Sequence, residues 1–182
     1  MLFAEKRIVL KDGREAVLRS PRREDAADMA DFIKAIASET DYTLRTSEEY
    51  KTLTVESEAA SIEKINASKN VVSIICTIDG SFCANCNLQL NLKTKIRHRA
   101  SIGLAVYKKF WGRGIGGAMI DEMITIAKEN GVTQLELTVM ESNSRAISLY
   151  ERKGFTAVAT LPNAYRTSDG RFLSQITMIK AI

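Results

Sequence analysis

The sequence predicts an α/β or α+β protein, a sheet carrying helices on its faces. Three observations carry that expectation. Apolar residues switch along the chain between the alternating repeat of strands and the wider repeat of helices, in the order strand, two helices, then strands with two interleaved helices. The dipeptide Asp79-Gly80 between two β-rich runs marks a hairpin. A glycine-rich turn near Gly112 joins a strand to a helix. The chain has 182 residues, which points to one domain with enough length to bury a core.

The first strand expected is Glu15 to Arg19. Ser20-Pro21 then reads as an N-cap and first helical position, with Glu24 and Asp25 in the first turn. Ala26, Met29, Ile33 and Ile36 follow at helical spacing, predicting a helix from Pro21 to about Ser38. A second helix lies between Val55 and Asn66, with Ala59, Ile62 and Ile65 on one face. Two strands follow, Val71 to Ile78 and Phe82 to about Leu92, and a third runs from about Arg97 to Val106. The helix after the glycine turn carries Ile120, Met123, Ile124 and Ala127, and Gly131 stops it. Gln134 to Met140 alternates as a strand, and Asn143 caps a short helix reaching Lys153. The last strands are Phe155 to Leu161 and Phe172 to Lys180; Pro162 to Arg166 reads as a loop.

Composition narrows the class. With 45% hydrophobic and 26% charged residues, 10 Gly and only 2 Pro, the chain is not disordered, collagen-like or low in complexity. Its longest charge-free run, Gly80 to Leu92, is too short and polar to span a bilayer. No basic head precedes an apolar run at the N-terminus, so no signal peptide is expected and the cytoplasm is the expected compartment. The net charge of +4 suits an anionic ligand, but the basic residues are scattered, which argues against nucleic acid. Cys83-x-x-Cys86 is a single pair whose members would face opposite sides of a strand; with Cys76 they read as free, partly buried thiols, and no metal is expected.

Chemistry concentrates in Phe110-Trp111-Gly112-Arg113-Gly114-Ile115-Gly116-Gly117. Glycines let successive amides turn toward one point, and a helix N-terminus adds partial positive charge, so phosphate is the natural guest. No acid appears in the following helix until Asp121, which leaves the positive end for a ligand. A tight packing turn would need the same glycines. Gly112-x-Gly114-x-x-Gly117 also matches a dinucleotide-binding motif, but no acid stands at the end of the next strand and too few strand–helix units follow. A Walker loop is excluded by the missing Gly-Lys-Ser/Thr.

Two blocks resemble the GNAT superfamily of N-acetyltransferases. The strand Ile102 to Val106 followed by Trp111-Gly112-Arg113-Gly114-Ile115-Gly116 is similar to the superfamily's strand and Q/R-x-x-G-x-G/A loop, with Trp111 standing where Gln or Arg is usual. The block V-x-x-x-N-x-x-A-x-x-L-Y-x-x-x-G-F is matched by Val139, Asn143, Ala146, Leu149, Tyr150, Gly154 and Phe155. The resemblance is concentrated in residues 101–155. It implies one domain over 1–182, with a mixed, mostly antiparallel twisted sheet of about 6–7 strands flanked by about four helices.

The resemblance further implies acetyl-coenzyme A as co-substrate, with its pyrophosphate on the amides of Gly112 to Gly117. Arg113 could supply a cation, and the pantetheine arm would pair with backbone at Leu104 and Val106. An amide near Ala105 or Val106 would stabilise the oxyanion. Asn143 would contact the pantetheine arm, and Tyr150 would protonate the leaving thiolate; an N-cap and a plain core residue are the structural alternatives for the two. Candidates for a general base are Glu136, Glu141 and His98. The acceptor would be a small-molecule or peptide amine. Seven acids against two bases between Glu39 and Glu63 suggest a wall that draws a cationic one. Neither nucleic acid nor membrane is expected as a partner, and a homodimer is left open. A non-catalytic acetyl-coenzyme A sensor of the same fold is the alternative function.

Overall fold

The computed structural model describes residues 1–167 and 169–182. Twelve elements follow one another: β1 (Lys6–Val9), β2 (Glu15–Arg19), α1 (Ala26–Glu39), α2 (Val55–Ala67), β3 (Val71–Ile78), β4 (Ser81–Leu90), β5 (Arg99–Val106), α3 (Ile115–Glu129), β6 (Gln134–Met140), α4 (Ser144–Arg152), β7 (Thr156–Arg166) and β8 (Phe172–Ala181). The strands form one 8-stranded sheet in the order β1-β2-β3-β4-β5-β6-β8-β7. Every neighbouring pair is antiparallel except β5 and β6. The expected 6–7 strands become eight because of β1, a short charged edge segment with no alternating pattern to announce it.

Strand alternation sorts the core onto two faces. Ile74 of β3 points into a cluster with Leu18, Leu88, Met119, Ile120, Met123, Leu135 and Phe155, under α3 and α4. Its neighbour Ile75 points the other way, into Met29, Phe32, Ile36, Ile62 and Phe82, under α1 and α2. Phe32 closes that second face with its ring 4.8 Å from both Phe82 and Tyr107. Asp79 and Gly80 both adopt positive φ (50° and 77°), as a two-residue hairpin turn requires.

Three local expectations are corrected. The first helix does not start at Pro21; a 3-10 turn at Arg23–Asp25 leads into α1, and the Ser20 hydroxyl instead accepts the Phe3 amide at 2.8 Å. Residues 162–166 are not a loop but the end of β7, which holds its pairing across a bulge with Asn163 at φ 54°. A bulge also changes the cysteines. Ala84 pairs with Cys76 and Phe82 with Thr77, leaving Cys83 as the extra residue. Cys76, Cys83 and Cys86 are therefore all fully buried in one core cluster, where opposite faces had been expected. Among the described residues no cluster of His, Cys, Asp and Glu could hold a metal, and no helix is long and apolar enough to cross a membrane.

Arg19 at the end of β2 grips Asp25 with both guanidinium nitrogens, at 2.6 and 2.7 Å, and Asp25 also accepts the Arg22 amide at 2.6 Å. Burial pushes the Asp25 carboxyl up, but the Arg19 fork and the Arg22 amide outweigh it and hold it below its ordinary value. A depressed carboxyl stabilises the fold above its unfolded pKa, and that stability is lost as pH falls through the folded value. Asp25→Asn should therefore lower stability by about 1–3 kcal/mol at pH 7, since the pair is only partly buried, and flatten stability loss below pH ~4. Denaturant melts across pH check both; an unchanged midpoint with an unchanged acid limb would count against the account.

Candidate active site

The lone parallel pair creates the cleft. β5 and β6 are in register only over Arg99↔Gln134 to Ser101↔Glu136; beyond that the strands part. On its other side β5 stays paired to β4 through Val106, and the Tyr107 amide bonds Cys83 O at 3.0 Å. Antiparallel alternation then turns the peptide groups of Ala105 toward β4 and those of Leu104 and Val106 toward the split. Of the two amides suggested for an oxyanion, only Val106's faces the cleft. The Val106 carbonyl is taken by the indole of Trp111, whose Nε1–H donates to it at 2.8 Å.

The loop after β5 delivers the helix N-terminus. Gly114 is the N-cap of α3 at φ +93°, a left-handed conformation that side chains resist, and no acid stands in the first turn of α3. The first recorded helical bond is Ala118 N–H to Gly114 O, 3.0 Å. Among the described residues, the amides from Gly112 to Gly117 have no protein acceptor. Gly116 serves close packing: a Cβ there would lie 3.1 Å from both Leu104 Cδ2 and Leu149 Cδ2, wedging α3 from β5 and α4.

A cavity of about 650 Å³ lies over this loop and is lined by every residue expected to bind the cofactor: Leu104, Ala105, Val106, Trp111 to Gly117, Asn143 and Tyr150. A second, of about 320 Å³, adjoins it and shares Tyr42, Leu104, Asn143, Ala146 and Tyr150. Asn143 is an N-cap: its Oδ1 accepts the Ala146 amide at 3.2 Å, while the side chain still lines both cavities. Tyr150 is 7% exposed, sits edge-on to Phe155 at 5.9 Å, and lines both cavities with no recorded bond from its hydroxyl. Burial, with a smaller contribution from Cys86, pushes its phenol up to about 12, so it stays protonated.

The expected bases are elsewhere. Glu136 accepts the Arg99 guanidinium in a two-pronged pair, and that bond chiefly holds its carboxyl below the ordinary range. It lines neither cavity. Glu141 accepts the Ser174 amide at 2.7 Å and also lies outside both cavities, as does the exposed His98. Arg113 is engaged by Asp12 at 3.1 Å. Several acids of the acidic segment are likewise engaged: Glu39 accepts the Lys108 amide, Glu48 pairs with Lys51 and Glu63 with Arg23, and Glu58 is buried. None of its acids lines either cavity, which corrects the expected acidic wall.

Several lining residues had no role from the sequence. Lys11, from the turn after β1, lays its stem against Gly114 and donates its own amide to Arg113 O at 3.1 Å. Nothing local marks it. Arg145 could have been noticed as a cation in the first turn of α4, the end a helix reserves for anions. Tyr42, between α1 and α2, reaches Ser142 O at 3.4 Å and lines both cavities.

A sheet whose parallel pair splays beside an acid-free helix N-terminus defines the fold class of acyl-coenzyme A N-acyltransferases. An acetyltransferase of the GNAT family from Streptococcus pneumoniae superimposes with a TM-score of 0.84 at 25% identity, covering 92% of this chain and 99% of that one. A putative acetyltransferase from Salmonella typhimurium, yncA, solved with its cofactor acetyl-CoA, gives 0.78 at 17% identity over 91% and 93%. The [ribosomal protein bS18]-alanine N-acetyltransferase of Escherichia coli (strain K12) is 38% identical over 68 residues, 37% of this chain and 46% of the relative, so the match spans under half of that relative's length. The acetyltransferase (GNAT) family model matches residues 36–155, and the chain belongs to that family.

Proposed function

We propose that this chain transfers the acetyl group of acetyl-coenzyme A to a primary amine by direct attack. The carrying observation is the parting of β5 and β6 beside the unpartnered amides of residues 112–117. Diphosphate fits those amides, and an amide-rich arm fits the free backbone of Leu104 as an added strand, while Val106, its carbonyl taken by Trp111, keeps only its N–H free. The amine lone pair attacks the thioester carbonyl and the Val106 N–H receives the developing oxyanion. As the carbonyl re-forms and the C–S bond breaks, Tyr150 passes its proton to sulfur, and the proton shed by the acetylated nitrogen passes through solvent to restore the phenol.

The acceptor side has a chemical consequence. Among the described residues no charged one lines the second cavity, whose polar groups are Tyr42, Thr138, Asn143, Tyr150, Tyr165 and Gln175, with Tyr165 donating to Gln175 Oε1 at 2.8 Å. No side-chain base there is available to strip a proton from a strongly basic amine. An α-amine (pKa ~7.7–8.0) is about a tenth free at pH 7, whereas a lysine amine (~10.4) is free to less than one part in about 2,000. The reading is therefore a peptide N-terminal α-amine, in line with the alanine named for the Escherichia coli relative.

Thiol release from acetyl-coenzyme A tests this over paired peptides, one with a free α-amine and blocked lysine, the other reversed, alongside polyamines. The α-amine peptide should have at least ~10-fold higher kcat/KM at pH 7. Preference for polyamines would overturn it. The missing base also favours a second reading, a sensor that binds acetyl-coenzyme A without turnover. Binding with no thiol released by any amine would select it.

A further inference from the structure

The glycine loop carries no free positive side chain of its own. Arg113, its one cation, is held by Asp12 at 3.1 Å, and Lys153, whose side chain lies against Gly117, is held by Asp121 at 2.6 Å. Trp111 heads the loop and is uncharged, but its position is fixed: the indole N–H is anchored to Val106 O on β5. Over the face of that indole, 4.8 Å from its centroid, lies the guanidinium carbon of Arg145. Arg145 lines the same cavity as the loop amides and, among the described residues, has no carboxylate partner.

Its place favours an anion. Arg145 stands in the first turn of α4, where the helix already concentrates positive charge and no acid offsets it. The N-terminus of α3 opens on the same cavity. Two helix ends and an unpaired guanidinium thus converge with no protein anion between them. Stacking on an indole leaves the guanidinium N–H edge free to fork two oxygens.

We infer that Trp111 is a positioning residue that holds Arg145 over the amides of residues 112–117, and that Arg145 there binds the diphosphate of coenzyme A. This rests on the acetyl-coenzyme A reading above. A cation from α4, its position set by the indole, thereby joins Lys11, whose stem lies against Gly114, at this loop.

Calorimetric titration of coenzyme A, dephospho-coenzyme A and pantetheine tests it, with melting temperatures confirming that each variant is folded. Arg145→Ala should weaken coenzyme A and dephospho-coenzyme A alike, by about 10-fold, and leave pantetheine unchanged. Trp111→Leu should cost as much as Arg145→Ala, and the double variant no more than either alone. Trp111→Phe, which keeps an aromatic face and is the milder change to packing, should bind within about threefold of the unsubstituted chain. A loss confined to coenzyme A would mean that Arg145 reads the 3′-phosphate and would overturn the assignment. Additive losses in the double variant would overturn the positioning role of Trp111. If the unsubstituted chain bound no coenzyme A at all, the function reading itself would fall, a result distinct from an unaffected Arg145→Ala.

Discussion

Gly114→Glu is expected to abolish coenzyme A binding. Gly114 is the N-cap of α3 with φ +93°, and its amide belongs to the set that has no protein acceptor. A glutamate there places a carboxylate among donors that otherwise face a diphosphate. At an effective dielectric near 20, two unit charges about 4 Å apart repel by roughly 4 kcal/mol, enough for a loss of at least ~1,000-fold. The left-handed backbone adds about 1–2 kcal/mol of strain to the folded state whatever the side chain. Gly114→Ala separates the two effects. Its Cβ would lie 3.3 Å from Lys11 Cγ, a flexible stem that can yield, so it carries the strain without the charge. Binding to the alanine variant should fall by no more than about 10-fold, given a strain of that size. Equal affinities for glutamate, alanine and glycine, measured by titration, would show that the diphosphate lies elsewhere.

Tyr150→Phe is expected to lower kcat at least tenfold, the lower bound set by the usual ~100-fold or greater worth of a positioned acid. Coenzyme A binding should stay within about twofold, because phenylalanine keeps the edge-on contact with Phe155. Burial raises the phenol to about 12, so the hydroxyl holds its proton throughout the range in which the enzyme can be assayed. The neutral form is the donor and is lost only as pH rises through that value. The turnover of the unsubstituted chain should therefore show no alkaline decline from Tyr150 between pH 7 and 10, since its phenol is raised to about 12. A phenol raised this far gives up its proton less readily than a free thiol, so transfer must accompany C–S cleavage rather than follow it. Unchanged turnover in Tyr150→Phe would remove Tyr150 from the chemistry and leave it as packing.

Much of this cleft was legible before any coordinates. The glycine loop, the cap at Asn143 and the strand ending at Val106 are each contiguous segments, and what they do follows from φ requirements, unpaired amides and periodicity within about ten residues. All of them line the cavity. The surroundings of the base candidates are set the opposite way, by residues distant in the chain. Glu136 alternates properly on its strand, yet its carboxylate is neutralised by Arg99 on the neighbouring strand β5, far away in sequence. The acids between Glu39 and Glu63 form a patch only along the chain; in space they are divided among separate partners. Local charge density counts residues, whereas a wall requires their side chains to face one volume.

The sequence by itself determined the sheet-with-helices class, the acid-free helix N-terminus after the glycine loop and the family motif that carries Asn143 and Tyr150. The tertiary structure alone decided that β5 and β6 part after Ser101, that Lys11 and Arg145 reach the first cavity, and that among the described residues no charged side chain lines the second. The physical reason is range. Backbone conformation and capping are settled by neighbours in the chain, but electrostatic environment is settled by whichever groups strand order and helix packing bring within a few ångströms.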